Sequence, residues 1–278
     1  LASGSLFGDI ECCDVAEVSS QCASESNTDH SFYAGCIDVK DAFWNLELPS
    51  ELRPYFQLPS LSGAYLGESS VRGEPIRADT EVFPVLRALP MGWSHAVWVC
   101  QTLRSHVVSG LEELENATEL VDRQPVGSLA NGMYTMYIDN FVVIGRSRAW
   151  VRRAVLAVRD AFGRHHLPTH DLVEAERNLD VLGWSIDGAR GFVRPSARRA
   201  WRAIRSVEFV VSQHSILVRD VEKVVGHLSF LALLARESLS CFNAIYKWIH
   251  AHERDSVAPL WPSVRRELRG FQGLVPLL

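Results

Sequence analysis

Apolar and polar positions along the chain follow two periodicities, and the mixture changes at about residue 195. Tyr33-Ala34-Gly35-Cys36-Ile37-Asp38 is a short apolar run ending in an acid, the pattern of a buried strand with a polar tip. Met133–Tyr137 and residues 141–144 are two more apolar stretches. They flank Asp139-Asn140, residue types that accept turn conformations, and together predict a β-hairpin. Val181-Leu182-Gly183-Trp184-Ser185-Ile186 predicts a further strand that turns at Asp187-Gly188. Helical spacing is interleaved with these strands. Ala96, Cys100, Leu103 and Val107 fall at i, i+4, i+7 and i+11, after Ser94 as N-cap and before Gly110 as the stop. Val151, Val155, Val158 and Phe162 line a helix starting near Arg148. Beyond Pro195 only helical spacing remains. Its stripes are Ala200, Ile204, Val207, Val211; then Val221, Val225, Leu228, Ala232; then Phe242, Ile245, Ile249.

Two segments lack periodicity. Residues 1–30, rich in Ser, Cys and acids, are expected to be a poorly ordered lead-in. Residues 60–80 carry Ser, Gly, Glu and Arg and read as a loop or insertion. The pattern therefore predicts an α+β unit over 31–194 and a helical unit over 195–278. There is no internal repeat.

Composition narrows the class. With 278 residues and 47% hydrophobic content, the chain can bury one large core or two smaller ones. No apolar run approaches the roughly 18 residues that span a bilayer, so no membrane is expected. The chain starts at Leu1 with no signal-peptide pattern, which suggests a fragment of a longer protein. None of the six cysteines forms a C-x-x-C pair, so neither a zinc site nor a disulfide framework is predicted. A reducing intracellular compartment, cytoplasm or nucleus, is the expectation. Charge is uneven: residues 1–139 hold 7 Lys and Arg against 20 Asp and Glu, and residues 140–278 hold 21 against 13. A basic second half suits a polyanion partner, although it also suits no ligand at all.

Two acids stand out by context. Asp38 ends an apolar strand and Asp139 sits at a hairpin tip. Alone, each is an ordinary residue for its place. As a pair they match the demand of two-metal phosphoryl transfer, in which carboxylates from different strands converge on one point.

Four ordered segments carry a resemblance. Cys36-Ile37-Asp38-Val39-Lys40-Asp41-Ala42-Phe43-Trp44 resembles the first polymerase motif of reverse transcriptases, an acid followed five residues later by an aromatic. Leu89-Pro90-Met91-Gly92-Trp93 with Gln101 resembles the second, and Tyr137-Ile138-Asp139-Asn140 the third, usually Y-x-D-D. Val181-Leu182-Gly183-Trp184 is similar to the strand at the palm–thumb junction, and 225–231 to the thumb of retroelement enzymes. The resemblance spans about residues 31–250. It implies a polymerase palm, an antiparallel sheet with packed helices, carrying a fingers insertion at about 50–90 and followed by a helical thumb or connection. Residues 1–30 are then a lead-in or a fingers remnant. The 37 residues before Asp38 contain no Lys or Arg, so the basic fingers look largely missing.

Carried over by position, Asp38 and Asp139 are the metal-binding carboxylates, for two Mg2+ ions or for Mn2+. Asp41 and Phe43 line the incoming sugar, with Phe43 as a steric gate against a 2′-hydroxyl; a core aromatic is the plainer reading. Met91, Gly92 and Tyr137 face the nucleotide. Gln101 lies near the template strand or on a solvated helix face. The departures matter too. Asn140 replaces the second Asp of the hairpin. No Lys occurs in 163–180 to protonate pyrophosphate, which leaves His170, or His165 and His166, as acid or as plain surface histidines. Arg194, Arg198, Arg202 and Arg205 fall on one side of a helix, as a phosphate grip or a solvated face. Trp201 and Trp248 are expected in the core. The implied function is RNA-directed DNA polymerization from dNTPs on a primed RNA or DNA template. The alternative is a decayed retroelement fragment that retains only template–primer binding. Phe43 argues against an RNA-synthesising relative.

Overall fold

The computed structural model describes residues 31–121 and 128–278, so the lead-in expected over 1–30 lies outside the described residues. In chain order the strands are β1 (Tyr33–Val39), β2 (Leu61–Ser62), β3 (Ser70–Val71), β4 (Glu74–Pro75), β5 (Glu81–Val82), β6 (Thr118–Glu119), β7 (Met133–Tyr137) and β8 (Asn140–Gly145). They continue as β9 (Thr169–Glu176), β10 (Asn178–Val181), β11 (Trp184–Asp187), β12 (Phe192–Pro195), β13 (Ser215–Leu217) and β14 (Val257–Pro259). The α-helices are α1 (Gly63–Leu66), α2 (Ala96–Ser109), α3 (Arg148–Arg164), α4 (Ala197–Ser212), α5 (Val218–Leu231), α6 (Asn243–His250) and α7 (Pro262–Leu274).

The main sheet has the order β6-β7-β8-β1-β9. β1 is antiparallel to both β8 and β9. Both of its faces are covered, which is why it reads as an almost unbroken apolar run rather than an alternation. One face packs Ile37, Val39, Phe141 and Val143 against Val151, Val155, Val158 and Phe162 of α3, all predicted core positions. The other packs Ala34, Cys36, Val142 and Ile144 against Leu179, Trp184, Ile186 and Val193 of the β10-β11-β12 sheet.

Several expectations from the sequence do not hold. Ser94 does not cap α2; His95 occupies that place without a side-chain cap. The buried stripe of α2 is Ala96, Cys100, Arg104 and Val108, and Leu103 is 48% exposed. Arg104 enters the core because the carbonyls of Ile138 and Ala42 accept from Nη1 and Nη2, although its buried Nε has no partner among the described residues, and an apolar count cannot foresee this. The strand expected over 181–186 is two strands, broken by a turn at Leu182-Gly183, both at positive φ. Residues 60–80 contain short paired strands, and β2 with β5 and β3 with β4 close a small lobe. Its two ends meet where Glu47 bridges Ala88.

The second unit is not wholly helical, since β13 pairs with β14 and α7 adds a fourth helix. Its core gathers Val207, Val221, Leu228, Ile245, Leu268 and Phe271. Trp248 is fully buried as expected, and its indole N–H donates to Pro259 O at 2.9 Å. Trp201 is 62% exposed, contrary to expectation, because it falls outside the α4 stripe of Ala203, Val207 and Val210. Phe230 of α5 stacks on Trp184 at 4.5 Å and joins the two units. Among the described residues, no helix is long and apolar enough to cross a membrane.

Candidate active site

The hairpin turn lies one residue earlier than expected. Tyr137 pairs with Asn140, so Ile138 and Asp139 form the two-residue turn. Ile138 has φ +54°, an unfavourable value for a β-branched residue. Its surroundings hold it there. Gln101 Oε1 accepts from Ile138 N at 2.6 Å, and Arg104 Nη1 donates to Ile138 O at 2.7 Å. Arg104 Nη2 also donates to Ala42 O at 2.8 Å, which ties the turn to the segment after β1. Val39 N donates to Asp139 O at 2.9 Å. Asp38 and Asp139 therefore meet at the end of β1.

Asp38 pairs in register with Asn140 on one side and His170 on the other. Its side chain is 23% exposed, yet Oδ1 is buried with no hydrogen-bond partner among the described residues. Burial pushes the Asp38 carboxyl above its ordinary pKa, and the charge of Asp139 pushes it further, while His170 opposes both. Asn140 Nδ2 donates to Asp139 Oδ1 at 3.0 Å. His170 Nδ1 lies 3.7 Å from Asp38 Oδ2 and 3.3 Å from Asp171 Oδ2.

Neither a protein-family model nor a curated protein matches the chain. Solved structures do. A foamy viral protease-reverse transcriptase bound to double-stranded DNA matches with TM-score 0.54 and 10% identity, over 87% of this chain and 35% of that one. The enzyme bound to an RNA/DNA hybrid gives 0.55 and 10%, over 88% and 27%. A further double-stranded DNA complex gives 0.55 and 11%, over 88% and 42%. The chain has a reverse-transcriptase-like fold. It spans less than half the length of each of those chains.

Within this reverse-transcriptase-like fold the remaining residues take definite places. Asp41 is exposed, at φ +50°, in the turn after β1. Phe43 is half-buried against the helix-covered core. Met91 is exposed beside Gly92, whose φ of +94° explains the glycine in the turn before α2. Tyr137 is half-buried and closes the hairpin. Gln101 is half-buried, and its amide clamps the turn through Ile138 N and Met136 O. Arg198, Arg202 and Arg205 are exposed on α4. Arg194 is exposed too, but it lies on β12 rather than on the helix as expected. A cavity of about 360 Å³ is lined by Arg198, Arg199, Arg202, His227, Phe230 and Gly183.

Three residues escaped sequence reasoning. Arg104 lies one helical turn after Gln101, and that spacing is the signal that could have found it. Asp171 was hidden because adjacent strand residues ordinarily point to opposite faces. Arg199 reaches Phe230, its guanidinium 4.3 Å from the ring centroid, and nothing local predicts that contact.

Proposed function

We propose that this chain is the catalytic core of an RNA-directed DNA polymerase. Residues 31–194 are its palm, with a fingers insertion at about 50–90, and 195–278 its thumb. The observation that carries the reading is the meeting of Asp38 and Asp139, tied by the Val39–Asp139 backbone bond, in a fold similar to reverse transcriptases. The residues fit divalent cations. Asp38 Oδ1 is buried without a donor among the described residues, and a negative neighbour raises the cost of its charge. Two Mg2+ ions held by Asp38 and Asp139 supply, when bound, charge neutralization and a clamp on the attacking and leaving oxygens.

The chain's own residues do the rest. Gln101 and Arg104 set the turn that presents Asp139. Phe43, a short step along the chain from Asp38, packs beneath the sugar of a dNTP and excludes a 2′-hydroxyl by overlap. Asp41, Met91, Gly92 and Tyr137 border the nucleotide. Arg194, Arg198, Arg202 and Arg205 grip phosphates of the primer–template, and the exposed Trp201 adds an apolar surface beside them.

One observation favours the second reading, a fragment that binds primer–template without extending it. Asn140 supplies an N–H to Asp139 Oδ1 where the family pattern has a carboxylate. Primer extension with dNTPs in Mg2+ or Mn2+ separates the two. Extension is expected, abolished by Asp38→Asn or Asp139→Asn and raised by Asn140→Asp. Duplex binding with no extension, in parent and Asn140→Asp alike, would leave the binding reading.

A further inference from the structure

We propose that Asp38, His170 and Asp171 form a mixed nitrogen–oxygen site for one Mn2+-class cation, so that β9 replaces the carboxylate the hairpin lacks. The inference rests on the polymerase reading for its purpose, but not for its geometry. One ligand atom from each of the three side chains lies within 4.8 Å of the other two. Atoms that share an ion at about 2.1 Å stand up to about 4.2 Å apart, and the separations of His170 Nδ1 from the two carboxylates, 3.7 and 3.3 Å, are inside that limit. The oxygen of Asp38 that faces His170 is Oδ2, while Oδ1 is buried and lacks any donor among the described residues. A carboxylate with one oxygen buried and unpartnered gains from a positive charge at the other.

The backbone brings Asp171 into this group. His170 and Asp171 are adjacent on a strand and should point apart. Asp171 has φ +50°, and the β1–β9 register is irregular between Cys36 and Asp38. Such irregularities re-aim side chains, and here both residues face Asp38. Imidazole favours borderline cations over Mg2+, while two carboxylates keep the site within reach of Mn2+. An imidazole nitrogen bound to a cation carries no proton there, so with Nδ1 on the ion only Nε2–H of His170 is left to donate a proton.

The test is Mn2+ and Mg2+ binding to the whole chain without nucleic acid. Calorimetry gives affinities, and Mn2+ broadening of the His170 imidazole resonance locates the ion. The parent should bind Mn2+ more tightly than Mg2+. His170→Ala should weaken Mn2+ binding by roughly tenfold or more and leave Mg2+ binding within about twofold, with Asp171→Asn weakening Mn2+ similarly. Far-ultraviolet circular dichroism confirms that each variant folds. Equal Mn2+ affinity in parent and folded His170→Ala, or an unbroadened His170, would overturn the site. If extension still needs Asp38 and Asp139, the polymerase reading survives that failure. Loss of Mn2+ binding in His170→Ala, in a chain that never extends a primer, would instead leave the site and remove the polymerase.

Discussion

Arg104 is a charged side chain with no exposed surface, lodged between the two segments that carry Asp38 and Asp139. Burial pulls its pKa below the ordinary value, while Cys100 and the two aspartates hold it up. Removing the guanidinium leaves two carbonyls, Ile138 O and Ala42 O, without their donor. Arg104→Met should therefore cost about 2–4 kcal/mol in urea unfolding. Single-turnover extension should fall further than duplex affinity, because the Asp139 turn is no longer clamped. Full extension at parental stability would show that Arg104 is a passenger. Asp38 supports a pH prediction. Its folded pKa is raised above the ordinary 3.8, so the folded chain binds that proton more tightly than the unfolded one. This stabilization is fully present below the unfolded pKa and is lost as pH rises through the folded one. Asp38→Asn, uncharged throughout, should melt higher than the parent at neutral pH in EDTA and lose that advantage in acid. Superimposable melting curves across the range would mean that Asp38 is unstrained.

At the scale of elements one tight hairpin presents Asp139 and another shapes the cavity beside α4. The first, between β7 and β8, has a β-branched residue at positive φ and depends on α2 to hold it. The second, between β10 and β11, has Leu182 at φ +52° and Gly183 at φ +87°, the sign pattern of a type I′ turn. A Cβ on Gly183 would stand 2.0 Å from Arg199 Nε, so the glycine also makes room for the arginine that covers Phe230. Gly183→Ala should cost about 1–2 kcal/mol from left-handed strain and side-chain displacement. It should also weaken primer–template binding, because Arg199 lines the basic cavity at the junction of the two units. Denaturant midpoints together with duplex titrations check this. Weaker binding at unchanged stability would confine the effect to the cavity, and no change in either would refute it.

Charge acts at the scale of the whole molecule. The acidic residues concentrate before Asn140 and the basic ones after it. Arg198, Arg202 and Arg205 form an exposed row on α4, and Arg205 pairs with Glu208 at 3.6 Å on the same helix. Replacing all three with Ala should weaken duplex binding to a similar degree for every sequence. The slope of log K against log salt should shrink by roughly 0.7–0.9 for each phosphate the variant no longer neutralizes. Identical slopes for parent and variant would make the row a solvated helix face.

Elements whose periodicity and burial agree were legible in the chain itself. β1, the β7–β8 pair, α3 and α5 follow directly from apolar spacing, because each turns its apolar positions into a core of its own unit. Asp38 and Asp139 were legible as candidates for the same reason, as acids at the ends of apolar strands. Where a polar group is satisfied from a distance, spacing misled. Arg104 displaced Leu103 from the buried stripe because its acceptors lie on two other segments. Trp201 and Trp248 look alike as sequence, yet only Trp248 finds a core, formed by α5 and α7, and an acceptor at Pro259. Asp171 joined Asp38 through a left-handed residue and an irregular register, neither of which leaves a mark in residue type. Apolar repeat and local backbone preference were enough to locate the main strands and helices, β1, β7, β8, α3 and α5, and the two acids at strand ends, Asp38 and Asp139. Which polar groups are buried, where the turn falls and which side chains converge came from the packed fold, because each depends on partners brought together from distant parts of the chain.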